Sequence, residues 1–314
     1  MKNILFIVQI IFFILATSST VLAFGMVKID VKVIDEAGTP LDDVKLSVRF
    51  SGGEMPVNKN VDDHGNCSIT SSSNDGVVVG TAMKEDYYNS TFNHDFYVTK
   101  FGFWQPWGKE LTVVMRPIVN PVPMYVRNHS FKIPVKGKEV GFDLEKADWV
   151  IPYGQGTTAD FIFQVEQRFE NMDNYDATMT MTFSNPFDGI QVVKDDGGGD
   201  FNSGSQYRLP RTAPESGYLP KMERRIAWGS MGRQSNMEDD NNYIFRVRSE
   251  VDENGNLKQA MYGKIRGELR YFVGDGGGIK LHYYLNPDYT RNLEFDPKRN
   301  LFIILSGSEN VRQP

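Results

Sequence analysis

A zinc hydrolase would have to draw on the histidines, and this chain has four, His64, His94, His129 and His282. None has a second His four residues on or a Glu three residues on, so the ligand spacing that holds a catalytic zinc on one element is missing. There is no Gly-x-Ser-x-Gly turn to expose a nucleophilic serine, and no Gly-rich loop ending in Lys-Ser or Lys-Thr to cradle a phosphate. A carboxylate pair assembled from distant strands leaves no local signature, and Asp148 with Asp160 is the pair such an extracytoplasmic hydrolase would use. Calcium asks only for hard oxygens on a pliable backbone. Asp195, Asp196 and Asp200 around Gly197-Gly198-Gly199 offer that, with Asp62 and Asp63 as a smaller cluster, although neither matches the twelve-residue helical calcium loop. Both clusters also read as ordinary turns.

The aromatic residues carry the remaining chemistry. Trp104-Gln105-Pro106-Trp107, Asp148-Trp149-Val150-Ile151-Pro152-Tyr153 and Trp228-Gly229 place flat rings beside polar partners. Sugars present apolar ring faces edged with hydroxyls, so Trp107, Trp149 and Tyr153 with Asp148, and Trp228 in the second half, are candidate carbohydrate-binding residues. The competing explanation is that these tryptophans seal the interface between two domains, as large aromatics near boundaries commonly do.

Positioning such side chains is the work of strands. Met1–Ala23 has Lys2, an apolar run from Ile4 to Ala16 broken only by Gln9, and Val-Leu-Ala at its end, the layout of a cleaved export signal. The run falls short of the roughly 20 apolar residues that cross a bilayer, so no stable membrane span is expected once the leader is removed. The remaining 314 − 23 = 291 residues carry a formal charge of −6 − 1 = −7. An acidic surface argues against nucleic acid as a partner, because phosphate binding draws on clustered Lys and Arg. The single cysteine, Cys67, excludes an internal disulfide, so an exported chain of this kind is held by burial alone.

Val27, Ile29, Val31 and Val33 alternate with polar residues, as do Val44, Leu46, Val48 and Phe50, with the turn-rich segment Asp35–Asp43 between them; the pattern predicts a hairpin with one apolar face. Asp62-Asp63-His64-Gly65-Asn66 is a tight turn, Val77–Met83 is a buried strand, and Leu111–Met115 closes the unit before Pro117, Pro121 and Pro123 break the ladder. This succession, with Gly38 and Pro40 in the first turn and Tyr87-Tyr88 after Val79, resembles the carboxypeptidase regulatory-like, or transthyretin-like, β-sandwich. The resemblance implies a seven-stranded-type sandwich over residues 24–118 with an accessory role, and no peptidase accompanies it. Asp86 stands where that family places Gly, and the aromatic stretch Phe92–Trp107 is an insertion.

Residues 119–314 predict a larger antiparallel β domain with long hairpins. One hairpin runs through Ala159–Gln167 and Ala177–Phe183. Another runs through Phe245–Val251 and Leu257–Val273, bent at Gly263 and Gly267. Arg246, Arg248, Lys258, Lys264, Glu268 and Arg270 fall on its polar, solvated faces. From Lys194 to Gly232 periodicity vanishes, which suits a long surface loop. The chain reads as an all-β protein exported to the periplasm, the cell surface or beyond. Three roles remain: non-catalytic binding of carbohydrate or of a cell-surface protein, the carboxylate hydrolase, or a structural surface subunit.

Overall fold

The computed structural model describes residues 25–53, 55–194, 203–274 and 277–314, which form strands and turns without a helix. The expected leader, Met1–Ala23, and the Asp195, Asp196 and Asp200 cluster lie outside the described residues. No helix among the described residues is long and apolar enough to cross a membrane.

Residues 25–115 close around one apolar core in which Val27, Ile29, Val31 and Val33 meet Val44, Leu46, Val48 and Phe50. The two alternating strands are not paired with each other, contrary to the hairpin their pattern predicts. Gly25–Ile34 pairs with Asn66–Ser73 and, in parallel, with Lys109–Val114, whereas Lys45–Phe50 pairs with Val57–Asn60 and Val77–Met83 in the other sheet. The connection explains the difference. Asp35 accepts the N–H groups of Ala37 and Thr39, and Asp43 sits at a φ of 51°, so the chain steps across the sandwich instead of folding back beside itself. Facing one another, the two apolar stripes bury each other, which a ribbon in one sheet cannot do. Of the ten strands in the two five-stranded sheets, two, Val98–Lys100 and Phe103–Gln105, lie wholly inside the Phe92–Trp107 stretch and one, Gly204–Ser205, comes from the distant loop, leaving seven, of which Ser90–Asp95 runs into that stretch. Cys67 is half-buried at the edge of this core, and burial raises its thiol pKa.

The second body has two sheets of mainly antiparallel strands. One runs in the order Gly189–Lys194, Asn241–Val251, Leu257–Ile265, Gly278–Asn286, Val122–Lys132 and Phe295–Asn300; the other runs Asp148–Trp149, Val140–Asp143, Phe161–Asn171, Asn174–Thr182, Lys221–Gly229 and Gly232–Ser235. The Phe161–Asn171 hairpin and the Asn241–Val251 hairpin form as their alternation predicts, the latter around Asp252, which accepts the N–H groups of Asn254 and Asn256. The return strand stops at Ile265 and resumes as Arg270–Phe272 after Gly267, whose φ is 77°. Gly263 does not bend it. A Cβ there would lie 2.1 Å from the Phe245 ring and 2.3 Å from the Tyr284 carbonyl oxygen, so the residue is small because an aromatic ring lies across it.

The charges of this hairpin are only in part a solvated face: Lys258 and Arg270 are exposed, as expected, but three others are not. Lys264 and Glu268 are buried, and Arg248 is largely so. The outer side of the strand is roofed by residues of the 203–220 segment, such as Ala213 and Tyr218, which pack with Ile244, Ala260 and Tyr262. Of the stretch from Lys194 to Gly232 expected as a surface loop, Lys221–Gly229 is instead a strand inside the second sheet, and the 203–220 segment is a strap joining the two bodies. Gly204–Ser205 adds to the edge of Ser90–Asp95, and Tyr207 stacks on Tyr88 at 5.2 Å. Arg116 donates to the carbonyls of Tyr207 and Leu209 and pairs with Glu36, which also pairs with Arg211. On the far side, buried Glu294 accepts the Tyr88 hydroxyl and the N–H groups of Val119 and Asn120. The Lys264 ammonium lies 4.6 Å from the centres of both the Tyr207 and Tyr284 rings, and burial pushes its pKa down to about 7.

Beside Tyr284, His282 is partly buried and stacked at 5.1 Å, and its buried Nε2 has no hydrogen-bond partner. Burial, reinforced by Arg266, Lys264 and Lys280, pushes its pKa down to about 3 from an ordinary 6.5. An unfolded chain therefore takes up this proton between pH 6.5 and 3 while the folded chain refuses it. The stability involved is complete above pH 6.5 and is lost as pH falls, at about 1.4 kcal/mol per pH unit for one such group. Urea midpoints measured from pH 7 to pH 4 should fall for the wild type and fall less steeply for His282→Leu. Equal slopes would mean that the histidine is not held neutral.

Candidate functional site

Two hairpin turns lie close together at one end of the second body. Phe161–Asn171 turns into Asn174–Thr182 through Met172-Asp173, where Asn171 accepts the N–H of Asp173. Lys221–Gly229 turns into Gly232–Ser235 through Ser230-Met231, with Gly232 at a φ of 75°. The register sets Tyr175 opposite Trp228 and Trp228 opposite Arg233, so these three side chains share one face of the sheet. It is the face that carries Ala177 and Ile226 into the core. Near the turns the facing sheet has reached its short Arg270–Phe272 strand, and the core opens to solvent.

The opening is a cleft of about 480 Å³, floored by Tyr175, Ile226 and Tyr271 and rimmed by Met172, Phe272, Arg233 and the Arg270–Asp239 ion pair. A second depression of about 510 Å³ lies at the same turns; Tyr175 and Trp228 line it from the inner face, and Asn174, Gln234 and Arg225 paired with Asp176 line it from the opposite face of the sheet. Arg225 grips Asp176 through two bonds of 3.0 and 2.7 Å and holds its carboxyl below the usual range. Trp228 is 38 % exposed and Met231 81 %. The Trp228 and Tyr175 rings thus share a face with the Arg233 guanidinium, which can donate hydrogen bonds to a polyhydroxyl ligand, while the carboxylate and amide groups line the opposite face of the same hairpins.

The titratable groups near the cleft are committed elsewhere. Glu268 lines its inner wall, but one oxygen accepts from Arg224 and the Tyr243 hydroxyl, and the other from Asn241 and the Glu238 N–H. Burial alone would raise this carboxyl; those donors outweigh it, and the pKa is lowered. The Asp148 and Asp160 pair is likewise occupied. Asp148 accepts the N–H groups of Trp149 and Gln155, closing its own loop. Asp160 is buried against Arg248, with bonds of 2.8 and 2.9 Å, and burial raises its pKa. Neither carboxyl faces a substrate-sized opening with a free oxygen. Asp62 takes the N–H groups of His64 and Asn66, as a turn residue does. Among the described residues no group of three or more His, Cys, Asp or Glu side chains is placed to hold a metal.

The other aromatic candidates separate. Trp149 is only 6 % exposed; its ring packs edge-on against Phe131 and Phe142, and its indole N–H donates to the Lys132 carbonyl at 3.0 Å. It belongs to the core of the second body, because the pattern around Val140, Phe142, Phe161 and Phe163 carries it inward. A surface platform of Trp107 and Trp149 therefore does not form. Tyr153 stays exposed on the loop closed by Asp148. Trp107, 42 % exposed, stands edge-on to Phe103 in the first body, while Trp104 is buried with its N–H on the Ser73 carbonyl. None of these tryptophans seals the contact between the bodies, where Tyr88 and Tyr207 do so. Sequence reasoning missed Tyr175 as a floor residue of the cleft because its alternation marks it as core, which at 7 % exposure it largely is.

No family model matches any part of the chain, and no curated protein matches it. Solved structures align at low similarity. A DUF3823 family protein from Parabacteroides merdae is 9 % identical over 87 % of this chain and 99 % of that one, with a TM-score of 0.22. A protein from Bacteroides uniformis whose proposed role is carbohydrate binding is 12 % identical over 82 % and 95 %, with a TM-score of 0.20. BcpA, the major pilin subunit of Bacillus cereus, is 11 % identical over 82 % and 95 %, with a TM-score of 0.22. Superpositions this loose carry nothing about function, which has to be read from the chain's own surface.

Proposed function

We propose that the chain is an exported, non-catalytic binding protein that holds carbohydrate at the aromatic-rimmed end of its second body. One observation supports this reading above the others: Trp228, 38 % exposed, shares one face of the hairpins with Tyr175 and Arg233, at the end where the core opens to solvent. A sugar ring laid on the indole removes apolar surface from water while the polar groups around it replace lost water hydrogen bonds. The occupied state of Asp148, Asp160 and Glu268 favours this over the hydrolase reading.

In the same proposal Met1–Ala23 is a leader removed on export, residues 24–118 are an accessory carboxypeptidase regulatory-like sandwich, and residues 119–314 are the ligand-holding domain. Affinity electrophoresis through gels cast with a panel of polysaccharides tests the role. The wild-type chain should be retarded by at least one, and Trp228→Ala should weaken that binding by about tenfold or more, since one stacked ring contributes on the order of 1.5 kcal/mol or more when area is counted. Because Trp228 sits at the surface, the variant should melt close to the wild type. Retardation untouched by the substitution would remove the site from this end of the molecule.

A further inference from the structure

The first body carries an exposed aromatic hairpin that neither its core nor its turn chemistry explains. Val98–Lys100 pairs with Phe103–Gln105 through a two-residue turn, Phe101-Gly102, with φ values of 54° and 81°. Such a turn favours Asn, Asp or Gly at its first central position; a bulky residue with positive φ is a strained choice. Phe101 is nevertheless there, 89 % exposed, with Tyr97 at 85 % and Val98, Phe103 and Trp107 also open. Folding alone would remove these side chains from water. Keeping them on a projecting hairpin points to something outside the chain that receives them.

Two further observations say what receives them. Residues 96–109 contain six aromatic residues, Lys100 and Lys109, and no Asp or Glu, although the whole chain has a formal charge of −6. The Lys100 ammonium lies over the Phe101 ring at 5.8 Å, so charge and aromatic ring are presented together at the tip. The chain also joins the body at this hairpin: the Met26 N–H donates to the Gly102 carbonyl at 2.8 Å, and Met26 is in register with Phe103. Only Phe24 and Gly25 lie between Met26 and the apolar, leader-like segment that ends at Ala23. The first described strand, Gly25–Ile34, thus starts beside the hairpin tip.

We propose that the hairpin is a membrane-contacting surface, its rings set among the headgroups of a phospholipid bilayer and its lysines matched to anionic lipid. Tyr, Trp and Phe favour that layer because it is apolar on one side and wet on the other, and a lysine near anionic lipid adds attraction that salt screens. The contact is peripheral and reversible, and it rests on the reading of the chain as exported but not on sugar binding at Trp228.

Flotation of residues 24–314, the span that carries every element described above, with vesicles of phosphatidylcholine containing a minority of phosphatidylglycerol tests it. The wild type should float, more strongly with phosphatidylglycerol than with phosphatidylcholine alone and less strongly in high salt. Tyr97→Ser with Phe101→Ser should lower partitioning by about tenfold or more, as expected for two rings withheld from the interface. Lys100→Glu should remove the preference for phosphatidylglycerol, and Trp228→Ala should float like the wild type. No flotation of the wild type, or equal flotation of the double variant, overturns the proposal. Loss of polysaccharide binding or of self-association in the hairpin variants, without vesicle binding by the wild type, would also overturn it and would reassign the surface to a sugar or to a second copy.

Discussion

Arg248→Ala is expected to destabilise the chain by about 3–5 kcal/mol, the usual consequence of leaving buried charge without its partner. Arg248 lies at a bulge in Asn241–Val251, with φ at 54°, and Asp188 takes the N–H groups of Arg248 and Ser249 to hold that shape. The bulge re-aims the side chain. Its guanidinium then meets Asp160 through two bonds, Asp143 at 3.3 Å and Glu145 at 2.8 Å. Without it, Asp160 would keep only the Leu144 N–H, and its carboxyl pKa, already raised by burial, would rise further. A carboxyl raised in the fold loses stability as pH climbs above its unfolded value, so the variant should be less impaired near pH 4 than at pH 7. Urea unfolding at the two pH values measures both effects. Arg248→Met combined with Asp160→Leu should recover much of the loss, because an apolar pair of similar volume has no charge to desolvate. A single-variant cost below about 1 kcal/mol would show that the network is not structural.

Tyr207→Ala should produce a comparable loss, about 3–5 kcal/mol, the range for removing a fully buried aromatic ring. The ring has no exposed surface, stacks on Tyr88 and faces the cations of Arg116, Arg211 and Lys264. Its removal leaves those charges around a void and frees the strap that ties the two bodies together. Trypsin should then cut at Arg208 or Arg211 before the rest of the chain is degraded, whereas in the wild type the strap should outlast exposed sites such as Lys258. Continued protection of the strap in the variant would mean that Arg116 and Glu36 hold it without the ring.

Alternation of period two made the strands legible, since each apolar stripe must be hidden and a one-residue slip would expose it. The hairpin Phe161–Asn171 with Asn174–Thr182 needed nothing more. Partners of the first two strands were not legible, because a nine-residue turn permits either a hairpin or a step across the core, and only Asp43 at positive φ tells them apart. Three charges of the hairpin around Asp252 were misread for a related reason. Alternation shows that a face is polar, not that it is wet: a segment without any periodicity covers Lys264, and Arg248 and Glu268 are buried against Asp160 and Arg224, while Lys258 and Arg270 do stay in solvent. Tyr207 and Leu209 amid Gly, Ser and Pro were the only sign that this segment docks. Among the candidate aromatics, Trp149 and Trp228 both stand at strand ends, and their opposite fates depend on which facing strand stops first. That is a property of the folded sheets and not of the residues beside each tryptophan.

Calorimetric titration of a polysaccharide that retards the wild type, carried out on three single variants, separates the exposed ring from the buried one and from the hairpin. Trp228→Ala should lose most of the affinity, Trp107→Ala should bind as the wild type does, and Trp149→Phe should bind normally while melting at a lower temperature. Full affinity in Trp228→Ala, with loss in either of the others, would contradict the placement of the ligand at the turns beside Tyr175.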